Sequence, residues 1–177
     1  MKKSSNLKKY HKYFVAAGVI IITAHLLFTY FTYDLLPQRI PVHAGSGNSI
    51  IFGPKSISIW YSLFITNLLL TGFLIFLSNL IFHIPYKYLS IYKKDQFLKL
   101  PPFARNEILK TLNLHSNIIA LTGGLTLFAV HIAFYLIAVN SLKTFPNSIL
   151  AFFSVIVFIE IFLMIIATSR KIDDHIA

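Results

Sequence analysis

The chain has 177 residues, 56% of them hydrophobic and only 12% charged, with a formal net charge of +10. Soluble domains carry roughly 25% charge, so this composition excludes an ordinary soluble domain and, with it, a soluble basic nucleic-acid module. The chain has no cysteine, which excludes disulfides, thiolate catalysis and zinc–thiolate sites.

The first apolar run covers 13–33 and follows Lys2, Lys3, Lys8, Lys9 and Lys12. It is longer than the roughly 7–15-residue core of a secretory signal, and no small-x-small cleavage site follows it. It is expected to be a retained anchor. Three more runs, 56–84, 116–139 and 149–168, also reach the ~20 residues that span a hydrocarbon core. Each is expected to be helical, because an open strand in lipid leaves its amides unsatisfied. Continuous apolar runs also exclude a barrel, whose strands alternate. The second run is longer than a span needs, which allows for tilt or an interfacial start.

Breakers agree with these limits. Pro37 and Pro41 follow the first run, Pro54 precedes the second and Pro85 ends it, and Pro146 precedes the fourth. Gly123-Gly124 inside the third run marks a bend or a close helix contact. The expected fold is therefore all-α: one integral membrane four-helix bundle over 1–177, with a short structured extracytoplasmic loop between the first two helices.

Lysine and arginine set the expected orientation. The N-terminal tail, the segment 85–115 and the C-terminal tail hold thirteen of the sixteen basic residues. Arg39, Lys55 and Lys143 are the three on the other side. Both termini and the basic loop 85–115 are thus expected in the cytoplasm. The loop itself reads as solvated and positive. Its mixture of lysines, aromatics and apolar residues also suits anionic headgroups, and Pro101-Pro102 suits a helix start running into the third span.

Ionisable groups inside spans are costly and mark functional candidates. His25, His131 and Glu160 qualify, with Asn67 as a polar companion. At ~1.5 Å per residue from the cytoplasmic ends, His25 lies about 18 Å deep, Asn67 and His131 about 21–22 Å, and Glu160 about 13 Å. The first three share a level. Such a set serves either a proton relay or ion site, or simple interhelical hydrogen bonding. Two His and a carboxylate can bind zinc or iron, but nothing in their spacing brings them to ligand distance, so no metal and no cofactor are expected. No hydrolase, metalloprotease or nucleotide-binding motif occurs, and Ser46 in Gly45-Ser46-Gly47 lacks the strand–turn–helix context of a nucleophile. No catalytic residue is assigned.

The loop between the first two spans is the most distinctive stretch. It contains Leu36, Pro37, Arg39, Ile40, Pro41 and His43, then Gly53, Lys55 and Ser56. Its prolines stiffen an extended path and its glycines permit turns, so a compact cap is expected. Here Leu-Pro-x-x-Ile-Pro-x-His followed by Gly-x-Lys-Ser resembles an uncharacterised bacterial membrane domain, the one found in the N-terminal half of SdpI-type immunity and signalling proteins. The resemblance covers about 13–84. Family members carry an Asn or Asp and a Gly-x-x-Asp between the His and the Gly-x-Lys, where 44–52 has no acid, and they have a second half beyond four spans. The resemblance implies a binding, immunity or signalling role through the outer loop, directed at a peptide, a lipid headgroup or another membrane protein. Two alternatives stand beside it. One is a structural subunit or oligomer packed through glycine and aromatic faces. The other is a transporter or membrane enzyme using His25, His131 and Glu160.

Overall fold

A computed structural model describes the backbone of residues 4–44 and 49–176, and the side chains of 12–43 and 49–176. The N-terminal lysines Lys2, Lys3, Lys8 and Lys9, and the residues Gly45, Ser46 and Gly47, lie outside the side chains so described. The chain is mostly helical. In order it forms α1 (Ser4–Tyr33), β1 (Arg39–Ala44), β2 (Ile50–Pro54), α2 (Ile57–Leu80), a 3-10 turn (Tyr86–Tyr88), α3 (Lys94–Lys99), α4 (Pro102–Ala138) and α5 (Asn147–Asp174). Helices α1, α2, α4 and α5 are each long and apolar enough to cross a membrane.

Local chemistry accounts for the helix ends. Helix α4 begins with a proline at its first position, where the missing N–H costs nothing. It ends in a Schellman motif: Asn140 takes a left-handed φ of 59°, its N–H donates to Ile137 O at 3.0 Å, and the Ser141 N–H donates to Leu136 O at 2.8 Å. Asparagine tolerates that backbone region better than most residues. The chain then reverses into α5 through Pro146.

Helices α1, α2 and α4 pack against one another, while α5 packs chiefly on α4. Helices α1, α2 and α4 thus form a mutually packed trio, with α5 laid along α4. Gly18 lets α1 approach, since a Cβ there would sit 2.6 Å from Ile75 Cδ1. Gly124 does the same between α4 and α2, where a Cβ would meet Thr71 Oγ1 at 2.7 Å. Gly72 and Gly123 face open space, so of the glycine pair in the third span only Gly124 is a contact.

Two features depart from the sequence expectation. The fold is not wholly helical, because β1 and β2 form an antiparallel hairpin, with a register irregularity between Pro41 and His43. Proline cannot donate to a ladder, so a two-stranded ribbon with a bulge accommodates Pro41. The second departure is in the segment 85–115, expected as a solvated loop up to a helix start at Pro101-Pro102, which is where α4 does begin. The stretch before α4 is folded: Leu89, Ile91, Phe97 and Leu100 bury against Ala104, Ile108 and Leu109 of α4 and Ile172 of α5. The physical reason is that α4 extends well past one span. Its 37 residues measure about 55 Å at 1.5 Å per residue, against a hydrocarbon core of about 30 Å. The surplus turns give this segment an apolar face to pack on.

The hairpin and the α4–α5 connection lie at one end of the bundle, where Ile50 packs near Ala133, Ile137 and Phe145. The folded 81–101 segment lies at the other end, beside the start of α4 and the end of α5.

Candidate functional site

The polar residues of the bundle sort into separate layers. The layer nearer the hairpin joins α1, α2 and α4. Asn67 Nδ2 donates to Gly124 O at 3.0 Å and to His25 Nδ1 at 2.7 Å. Its Oδ1 accepts from Thr71 Oγ1 at 2.8 Å. His25 Nε2 and His131 Nδ1 are 2.7 Å apart. All four side chains are fully buried.

The chemistry of the donors fixes the direction of this chain. A backbone carbonyl only accepts, so the Asn67 nitrogen must face Gly124 O. The same NH2 then makes His25 Nδ1 an acceptor. Neutral His25 therefore carries its proton on Nε2 and donates it to His131 Nδ1. The order of donation is Asn67 to His25 to His131, and it ends at His131 Nε2. That atom is buried and has no hydrogen-bond partner among the described residues. Aromatic rings enclose the pair. Phe128 stacks on His25 with centroids 4.9 Å apart, and Trp60 meets His131 edge-on at 4.1 Å. Trp60 Nε1 also donates to Thr29 O at 3.2 Å, tying α2 to α1 one turn from His25.

A second polar layer was not singled out in the sequence. Ser78 Oγ donates to Asn117 Oδ1 at 2.9 Å, and Asn113 Nδ2 donates to Ser78 O at 2.6 Å. Asn117 Nδ2 returns to Asn113 O at 2.8 Å. The signal was present as Asn113-x-x-x-Asn117, two amides on one helix face. Thr71 and Ser78 are about 10 Å apart along α2, and Ile75, Ala120 and Leu121 occupy the interval in the sequences of α2 and α4.

Glu160 belongs to neither layer. Its Oε2 lies 2.8 Å from His115 Nδ1, between α5 and α4. The structure thus brings His25, Asn67 and His131 together and leaves Glu160 with a different histidine. His115 escaped notice because the third apolar run begins at 116, whereas the helix itself starts fourteen residues earlier, at Pro102.

The hairpin divides its motif residues into inward and outward sets. Leu36 and Ile40 are buried with Trp60 and Ala138, and Pro41 is buried too. Gly53 is required by close packing, because a Cβ there would meet Val42 Cγ1 at 2.9 Å. Lys55 Nζ donates to Leu36 O at 3.1 Å and sits over the Tyr33 ring at 4.9 Å. Its backbone N–H donates to Gln38 O at 2.8 Å. Lys55 therefore closes the hairpin onto the turn after α1. Ser56 is the N-cap residue of α2, and its Oγ meets Ser58 Oγ at 2.8 Å. Pro37, Arg39 and His43 are exposed. Arg39 Nη2 donates to Phe52 O at 3.3 Å across the ribbon.

Set against family models, curated proteins and solved structures, the chain matches none.

Proposed function

We propose that this chain is a multi-pass protein of a bacterial plasma membrane, with both termini and the 81–101 segment in the cytoplasm, and that it binds a ligand outside the cell through its hairpin. The observation that carries the reading is the division of labour in the hairpin. Leu36, Ile40, Gly53 and Lys55 are spent on holding the ribbon to the bundle. Arg39 and His43 remain outside, exposed, on a braced platform. Thirteen basic residues in the N-terminal, central and C-terminal segments of the sequence, against Arg39, Lys55 and Lys143 elsewhere, support the orientation. The motif's likeness to SdpI-type domains points to the ligand class: a membrane-active peptide, met in an immunity or signalling role.

Expression in a toxin-sensitive host tests this. Wild type is expected to protect against at least one peptide in a panel of membrane-active peptides, and an Arg39→Ala/His43→Ala variant of equal abundance is expected to lose that protection. Equal sensitivity with and without the protein across the panel contradicts it.

A second reading, a subunit of a larger membrane complex, is favoured by one observation. The apolar window of α5 has none of its residues buried within the chain. A relay or transporter through the intramembrane residues has less support, because Glu160 pairs with His115 and apolar residues lie between the two polar layers.

A further inference from the structure

Helix α5 turns Phe152, Val155, Phe158, Ile159 and Phe162 outward along most of its length. Near its C-terminal end the character of that surface changes. An open groove of about 390 Å³ runs between α4 and α5, lined by His115, Leu163, Ile166, Ala167, Arg170 and Lys171. Its lining is apolar at Leu163, Ile166 and Ala167, and cationic at Arg170 and Lys171.

Three acids lie near those cations on α5, Glu160, Asp173 and Asp174, and Asp174 makes no ion pair within 4 Å with either of them. Glu160 is held by His115 Nδ1 at 2.8 Å, and Asp173 is held by Lys93 Nζ at 2.6 Å. Arg170 and Lys171 form no ion pair among the described residues. The position along the helix also matters. Arg170 lies about 35 Å along α5 from Asn147 at 1.5 Å per residue, just beyond a hydrocarbon core of about 30 Å. Leu163 lies about 10 Å deeper. Cations at headgroup level above an apolar trough match an amphipathic anion with a hydrocarbon tail. Basic pockets between helices on the cytoplasmic side hold such headgroups.

We propose that this groove binds one anionic phospholipid, its phosphate held by Arg170 and Lys171 and one acyl chain laid along Leu163, Ile166 and Ala167. The inference rests on the membrane reading above. Carbonate-washed membranes test that reading by itself: a chain lost to the wash refutes membrane insertion, independently of any lipid preference. The groove is tested by native mass spectrometry of the full detergent-solubilised chain, offered equal amounts of phosphatidylglycerol and phosphatidylcholine with the same acyl chains. One phosphatidylglycerol per chain is expected, preferred about tenfold. Arg170→Gln/Lys171→Gln is expected to abolish the preference. Ile166→Trp fills the trough without changing charge and is expected to lower retention of lipid severalfold. Lys94→Gln/Lys99→Gln removes two cations elsewhere and is expected to change nothing. Equal retention of the two lipids overturns the proposal, as does an equal loss in the Lys94/Lys99 variant. Displacement of the lipid by millimolar inorganic phosphate also overturns it, since the site would then hold a free anion and not a lipid.

Discussion

His25 Nε2 donates to His131 Nδ1 across 2.7 Å, and it can do so in that direction only, because Asn67 Nδ2 already occupies His25 Nδ1. One amide thereby sets the tautomer of an imidazole on another helix and, through it, the protonated nitrogen of a second imidazole. Three helices are joined by this one chain of bonds.

The bonds lost on mutation rank the three residues. Asn67→Leu removes bonds to Gly124 O, His25 and Thr71. His25→Phe removes two, and His131→Phe removes one together with an unpaired N–H. Membrane hydrogen bonds average about 0.6 kcal/mol, and a stranded buried partner costs about 1–3 kcal/mol. Asn67→Leu is expected to cost about 2 kcal/mol, His25→Phe somewhat less, and His131→Phe least. Unfolding in mixed micelles measures this order, and His131→Phe as the most damaging of the three contradicts it.

Adjacent glycines provide a sharper comparison. Gly124→Ala drives a methyl to 2.7 Å from Thr71 Oγ1 and 3.2 Å from Asn67 Oδ1. Overpacking of this kind costs about 1–3 kcal/mol. Gly123→Ala meets nothing within 4 Å and is expected to be neutral or slightly stabilising, since alanine favours the helix. Thermal melts of the two purified variants decide it. Equal melting temperatures would mean that Gly124 is not a contact.

Lys55 is expected to act as a brace. Its ammonium reaches Leu36 O at 3.1 Å and its main chain reaches Gln38 O. Lys55→Met keeps the aliphatic stem and the N–H but removes the charge. Lys55 is half-buried, and a hydrogen bond of this kind contributes a net of about 0.5–1.5 kcal/mol. Hydrogen exchange in β1 and β2 is therefore expected to speed up by a few-fold, with α2 unchanged. Unaltered exchange in the hairpin would show that the ammonium does not hold it.

Glu160 and the His25–His131 pair should behave as strangers. Glu160→Gln is expected to move the imidazole nitrogen resonances of His115 and leave those of His25 and His131 in place. Coupled movement of all three would join Glu160 to the polar layer and revive a relay.

Much of this frame was legible in the sequence, for stated reasons. The number of long apolar helices follows from run length and breakers, and the common level of His25, Asn67 and His131 follows from the rise of a helix. Facing is not legible from one chain. Depth could not tell that Glu160 meets His115, because hydropathy ended the third run where the lipid-like composition ended, not where the helix did. Pro101-Pro102 marked the start of the helix that carries Phe103 to Leu112, but these amphipathic turns fall outside a hydropathy window, and nothing in the sequence showed that they pack on Phe97 and Ile172. Composition likewise revealed a stiff cap between the first two spans. It could not show that Lys55 points back to Leu36 while His43 points away.

The account depends most on the chain crossing a membrane four times with the hairpin outside. Having no cysteine, the protein gives no background to a thiol probe. Single variants His43→Cys in β1 and Gln96→Cys in α3 place one thiol at each end on exposed positions. A membrane-impermeant maleimide applied to intact cells, with the outer membrane permeabilised where one is present, is expected to label the hairpin thiol at once and the α3 thiol only after lysis. Labelling of the α3 thiol in intact cells, with the hairpin thiol protected, would contradict the orientation and the outward role of Arg39 and His43 with it.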